Sequence, residues 1–211
     1  MNSTFDVTCR RCPRLAAFLD TVHLKEPTYY CRPVPGFGDP KARLLIVGLA
    51  PGMHGANRTG RPFTGDYAGI LLYATLHKFG IASAAVSTSV DDGLELKDAR
   101  ITNAVKCLPP ANKPLPIEIK VCNDFIRAEL EQSREARVLL ALGTVAHAAV
   151  LRAHALPASA HRFAHGAEHR LPSDRVLLDS YHCSRYNTQT RRLTTVMFED
   201  IIGRACELIR L

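Results

Sequence analysis

Four short apolar runs, each bounded by turn residues and separated by stretches with helical spacing, constrain this chain more than anything else in it. Residues 43–49, 100–107, 137–142 and 175–181 are rich in β-branched residues or leucine and read as buried strands. Between them, residues 70–77, 117–132 and 144–152 set apolar side chains on one stripe, and 190–211 reads as a long C-terminal helix. Strands buried on both faces and alternating with helices imply a three-layer α/β/α fold around a central, mostly parallel four-stranded sheet. In such a sheet, functional residues gather beyond the carboxyl ends of the strands. Residues 9–19 read as a short separate helix, and 82–96 as a polar, mobile surface connection. No linker divides the chain, so residues 1–211 are expected to form a single domain.

Charge and cysteine content narrow the class of partner. Lys plus Arg number 27 against 20 for Asp plus Glu, a net charge of +7 that favours a polyanion. The start of the sequence shows no basic region followed by an apolar core, and the apolar stretch 138–151 is interrupted and too short to span a bilayer. A cytoplasmic location with no membrane contact is therefore expected. Seven cysteines, an odd number, do not suit a secreted disulfide framework. In a reducing compartment a Cys9-Arg-Arg-Cys12 pair with the distant Cys107 and Cys122 suits either a [4Fe–4S] cluster or a structural zinc site. Cys31, Cys183 and Cys206 read as packing or loop thiols.

The segment after the first strand, Gly48-Leu-Ala-Pro-Gly-Met-His-Gly-Ala-Asn-Arg-Thr-Gly-Arg-Pro-Phe-Thr-Gly-Asp66, holds five glycines and two prolines in nineteen residues. It is neither a dinucleotide fingerprint nor a P-loop, but it can bring backbone N–H groups close to an anion or a planar base. Together with Arg32-Pro-Val-Pro-Gly-Phe-Gly-Asp39, Cys107-Leu-Pro-Pro-Ala-Asn-Lys-Pro114 and Ser180-Tyr-His-Cys-Ser-Arg-Tyr-Asn-Thr-Gln-Thr190, this segment resembles the motifs of the family 5 uracil-DNA glycosylases. The likeness spans nearly the whole chain, with the motifs in the family's order. It implies an enzyme of base excision repair that flips uracil out of DNA and hydrolyses its N-glycosidic bond to leave an abasic site. Hypoxanthine, xanthine and etheno-cytosine are the further substrates that it implies. A non-catalytic iron–sulfur DNA-binding module on the same fold is the alternative.

The chemistry assigns roles that the resemblance sharpens. Asp66 is the candidate to position or deprotonate water and stabilise a cationic sugar, although an Asp between Gly65 and a helix is also a good N-cap. Other glycosylase families carry a polar residue within the Gly-x-x-Pro stretch, where this chain has Leu49 and Ala50 as family 5 does, which shifts the catalytic role toward Asp66. His182 is the candidate to stabilise the departing base anion, as a neutral or a charged donor. Phe63 would stack on the base, which Gly48, Ala50 and Gly52 would also contact. Asn103 and Asn112 present the amides that read it, and Asn112 matches a family residue implicated in catalysis. Arg58, Arg61, Lys113, Ser184, Arg185, Tyr186, Arg191 and Arg192, with Lys106, are expected at a DNA-facing edge. His154, His161, His165 and His169 fall in a less structured segment and are expected at the surface. The resemblance includes all four of Cys9, Cys12, Cys107 and Cys122 and implies a [4Fe–4S] cluster there. DNA carrying uracil or other deaminated bases is the implied partner, bound by a monomer.

Overall fold

The parallel core of the sheet follows directly from the apolar runs. In the computed structural model, which describes residues 5–210, strands β2 (Leu44–Gly48), β3 (Ala99–Asn103), β4 (Val138–Leu142) and β6 (Val176–Ser180) pair in parallel in the order β3-β2-β4-β6. Two short antiparallel strands were not expected: β1 (Phe37–Gly38) beside β3 and β5 (Glu168–Arg170) beside β6, giving six strands in place of four. The first four residues, where the reading of the chain start begins, and Leu211, the last residue of the expected C-terminal helix, lie outside the described residues.

Alternating side chains of the buried strands build a core on each face. Leu44, Ile46, Leu140 and Leu178 pack against Leu72 and Leu76 of α3 (Tyr67–Lys78) and Phe198 and Ile202 of α7 (Thr195–Leu208). Leu45, Val47, Leu139 and Leu177 pack against Ile126 and Leu130 of α4 (Pro116–Gln132) and Val150 of α5 (Thr144–Ala153). The segment after β2 thus leads to a helix on one face, while the turn after β4 leads to a helix on the other. That divergence between adjacent strands opens a crevice at their carboxyl ends, where α/β sheets bind ligands.

Several boundaries move for local reasons. Pro13 at the first turn starts α1 (Pro13–Lys25) later and lets it run further than residues 9–19. The expected helix over 190–211 is two: the Ser184 hydroxyl caps α6 (Arg185–Gln189), Arg191 adopts a left-handed φ of 55°, and the Thr194 hydroxyl caps α7. The second expected strand ends at Asn103, beyond which Ala104 and Val105 donate backbone N–H groups to Gly48 and Leu49. A further four-residue helix, α2 (Ala56–Thr59), lies inside the glycine-rich segment.

The connection over 82–96 is tied down along its length. Ala82 bridges Leu96, and both side chains join the core with Leu94. Asp92 accepts N–H bonds from Thr88, Ser89 and Leu94 and pairs with Arg61 at 2.6 Å. Surface placement also fails for His169, whose Nε2 lies 3.1 Å from the fully buried Asp179 carboxylate. No helix of the described residues is long and apolar enough to cross a membrane.

Candidate active site

At the crevice beyond β2 and β4 lies a cavity of about 790 Å³, within the range of small-molecule sites. It gathers Ala50, Gly52, Phe63, Asp66, Asn103, Asn112, His182, Ser184 and Arg185, contributed by segments far apart in sequence. Gly48 stands behind its wall: a Cβ there would lie 2.4 Å from Asn103 Oδ1 and 2.6 Å from the Phe63 ring, so only glycine lets the amide and the ring pack against the strand end. Phe63 is buried and held at φ 54°, a conformation that costs on the order of 1–3 kcal/mol and is sustained by the surrounding packing. Its ring is 5.9 Å from that of His182, with the planes at 27°.

Asp66 serves two ends at once. As N-cap of α3, its Oδ1 accepts the Gly69 N–H at 2.8 Å, while Oδ2 turns to the Gly52–Gly55 side of the cavity. A Cβ on Gly55 would approach that oxygen to 2.3 Å, so the carboxylate seats itself against a glycine that the sequence reading did not single out. Burial raises the Asp66 pKa above the ordinary aspartate value, and the N–H groups of Gly69 and Ala68 oppose that rise. Burial also pushes the His182 pKa down to about 4, which leaves a neutral imidazole at neutral pH. His182 Nδ1 is buried without a hydrogen-bond partner among the described residues. Asn103 is likewise buried with Oδ1 unpaired, so its amide is held by packing and its hydrogen-bonding capacity is uncommitted.

Of the expected cations, Arg185 is the one that lines the cavity. Arg185 sits 5.8 Å from the Tyr67 ring centroid, and Tyr186 is 71% exposed beside it. Arg58, exposed, donates from Nε to the His54 carbonyl, while Arg192 lies over Tyr181 at 4.7 Å. Arg191 and Lys113 are exposed as well. Two expected edge cations are elsewhere. Arg61, 5% exposed, is spent on Asp92, Ser87 and the Val90 carbonyl and stacks on Phe37. Lys106, 1% exposed, places Nζ 2.9 Å from both oxygens of Glu129 and against the Thr102 hydroxyl. Neither is free for phosphate.

His54, Tyr67 and the Gly143–Val145 turn also line the cavity and were missed by sequence reasoning. The turn had a legible signal, a glycine at a strand end followed by a helix. His54 and Tyr67 had none beyond their position in the glycine-rich segment.

Cys9, Cys12, Cys107 and Cys122 meet away from this cavity, around a small void bordered by Leu15 and Phe125. Burial raises the thiols of Cys107 and Cys122, the latter to about 11, so four thiolates there require a centre that supplies positive charge. The donor set, four cysteine sulfurs around one void, suits a thiolate-bound metal centre. Cys183 is buried in the core, and Cys31 accepts a weak bond from Asn57 at 3.5 Å.

The sequence profile of the uracil DNA glycosylase superfamily matches residues 35–204. The chain is 50% identical to a Type-5 uracil-DNA glycosylase of Thermus thermophilus over 95% of its own length and 93% of that protein. It is 42% identical to a Type-5 uracil-DNA glycosylase of Pyrobaculum aerophilum over 94% and 88%. A Type-4 uracil-DNA glycosylase of Archaeoglobus fulgidus is 34% identical over 66% of this chain and 57% of that protein.

Proposed function

The chain belongs to the uracil DNA glycosylase superfamily, and from that membership we propose that it excises uracil from DNA by hydrolysing the N-glycosidic bond, leaving an abasic site. The observation that carries this reading is the cavity itself. It sets an aromatic ring, an uncommitted amide and a neutral imidazole in its wall and a partly buried carboxylate beside them. A base reaches such a site only when flipped from the stack. Phe63 then stacks on the base, Asn103 hydrogen-bonds its edge, and Asn112 approaches from its exposed turn. His182 donates to the base oxygen where negative charge develops as the bond breaks, and Asp66 orients water and stabilises the oxocarbenium-like sugar. On this reading the protein works as a single-domain monomer in the cytoplasm. Uracil is the best substrate, with hypoxanthine, xanthine and etheno-cytosine weaker.

The test is a panel of duplex and single-stranded oligonucleotides carrying each of these bases, scored for abasic sites. Uracil is expected to be excised fastest. Binding to all of them with no cleavage of any would replace this reading with a non-catalytic DNA-binding module.

Arg58, Lys113, Arg185, Arg191 and Arg192, with Ser184, form the phosphate-facing rim, and Tyr186 fills the space left by the extruded nucleotide. Arg185→Ala is expected to reduce the slope of log binding constant against log salt by about one, across sequences. An unchanged slope removes Arg185 from the DNA interface.

Cys9, Cys12, Cys107 and Cys122 hold a [4Fe–4S] cluster. When bound, it cross-links the segment before α1 to α4 and to the turn after β3, a structural role. Anaerobic purification is expected to yield brown protein with about four irons per chain. Protein without iron from the same procedure would overturn the assignment.

A further inference from the structure

A second cluster of metal-ligating side chains lies apart from both the cavity and the cysteines. His147 on α5, His169 on β5 and Asp179 on β6 bring one ligand atom each to within 4.8 Å of one another. The two Asp179 oxygens are divided between the rings: Oδ1 is 2.8 Å from His147 Nδ1, and Oδ2 is 3.1 Å from His169 Nε2. The Asp179 side chain is fully buried, and among the described residues no Lys or Arg pairs with it. A buried carboxylate without a cationic partner is costly, so the compensation must come through the two imidazoles.

Hydrogen-bond partners show what that compensation can be. His147 Nε2 faces the His161 carbonyl at 2.9 Å, an acceptor only, so this nitrogen carries a proton. In a neutral ring, Nδ1 is then a lone pair aimed at a carboxylate oxygen, two acceptors face to face. Either a second proton on the ring or a metal ion taking that proton's place, with the two atoms moved slightly apart, resolves the conflict. The His161 carbonyl would then fix the tautomer and ring orientation of a metal-bound histidine from behind, as the outer partners of such ligands do.

We propose that His147, His169 and Asp179 form a second metal site that binds one transition dication of the zinc class. Tetrahedral zinc with bonds of about 2.1 Å holds its ligands about 3.4 Å apart, so a small expansion of the observed spacing admits the ion. Two imidazoles and a carboxylate are a donor set of the kind that zinc takes, with water at the fourth position. The metal would join three elements of one side of the fold: α5, the edge strand β5 and β6. Asp179 precedes His182 by three residues, so the ion would stiffen the strand that delivers the catalytic imidazole.

The test uses the cluster-loaded protein and zinc chloride alone. Calorimetric titration, followed by dialysis and simultaneous zinc and iron analysis, is expected to show one zinc per chain bound with iron content unchanged. His169→Gln and His147→Gln are expected to weaken zinc binding by at least about tenfold at the same iron content. His169 lies on a three-residue edge strand, so its replacement decides the matter even where Asp179→Asn fails to fold. No zinc uptake by the wild-type protein, equal uptake by the His169→Gln variant, or uptake matched by loss of iron would each overturn the proposal.

Discussion

Asp66→Asn is expected to lower single-turnover excision of uracil by about 10²–10⁴-fold, the range of a lost general base, while leaving the fold intact. The two roles of this side chain separate because they use different oxygens. The amide of asparagine still accepts the Gly69 N–H through Oδ1 and caps α3 about as well as aspartate does. It fits the same space against Gly52 and Gly55. What disappears is the negative charge proposed to face the sugar. Because burial raises the Asp66 pKa, the ionised form is the less comfortable one in the folded protein, so the variant is expected to melt no lower than wild type. Asp66→Ala loses both roles and should give up a further ~1 kcal/mol of stability with the cap. The wild-type rate falls as pH drops through a carboxyl pKa above 3.8, because protonation removes the active form. His182, neutral above about pH 4, adds no second limb near 6.5. Rates measured from pH 4 to 8 for both proteins check this, and near-normal cleavage by Asp66→Asn would remove Asp66 from the chemistry.

The sequence exposed the parallel strands and the carboxyl-edge location of the site, because buried strands must be apolar on both faces and ligands collect where their connections diverge. It could not expose β1 and β5, whose two and three residues lie in a Pro/Gly stretch and a His-rich stretch with no apolar periodicity. Phe63, Asp66, Asn103, Asn112 and His182 were legible from motif and strand-end position, and the structure brings them to one cavity. The cations were only partly legible. A net charge counts Arg61 and Lys106 but says nothing of burial, and their partners Asp92 and Glu129 stand 31 and 23 residues away along the chain. A similar separation hid the pairing of His147 with Asp179, 32 residues apart. Long-range polar pairing leaves no periodic trace, whereas burial of a strand does.

Lys106 gives the other large effect, on stability in place of catalysis. Lys106→Met is expected to cost about 3–5 kcal/mol, because it strands the Glu129 carboxylate, itself 8% exposed, without its partner. That is a large share of the ~5–15 kcal/mol typical of a folded protein. Methionine fills most of the aliphatic space, so a cavity does not account for the loss; an uncompensated buried charge does. Lys106→Met combined with Glu129→Leu should therefore recover most of the stability, since replacing both members of a buried pair by apolar residues is often close to neutral. Urea denaturation of the two single variants and the double variant measures this coupling. The effect should also reach the cysteines: Lys106 immediately precedes Cys107, and its backbone N–H donates to Cys122 Sγ at 3.3 Å, so loosening this strand end is expected to speed iron loss. DNA binding supplies the contrast. A buried ammonium releases no counterions from phosphate, so the salt slope of the folded Lys106→Met variant should match wild type, where Arg185→Ala does not. A variant that kept its stability and lost one phosphate contact would instead place Lys106 at the DNA edge.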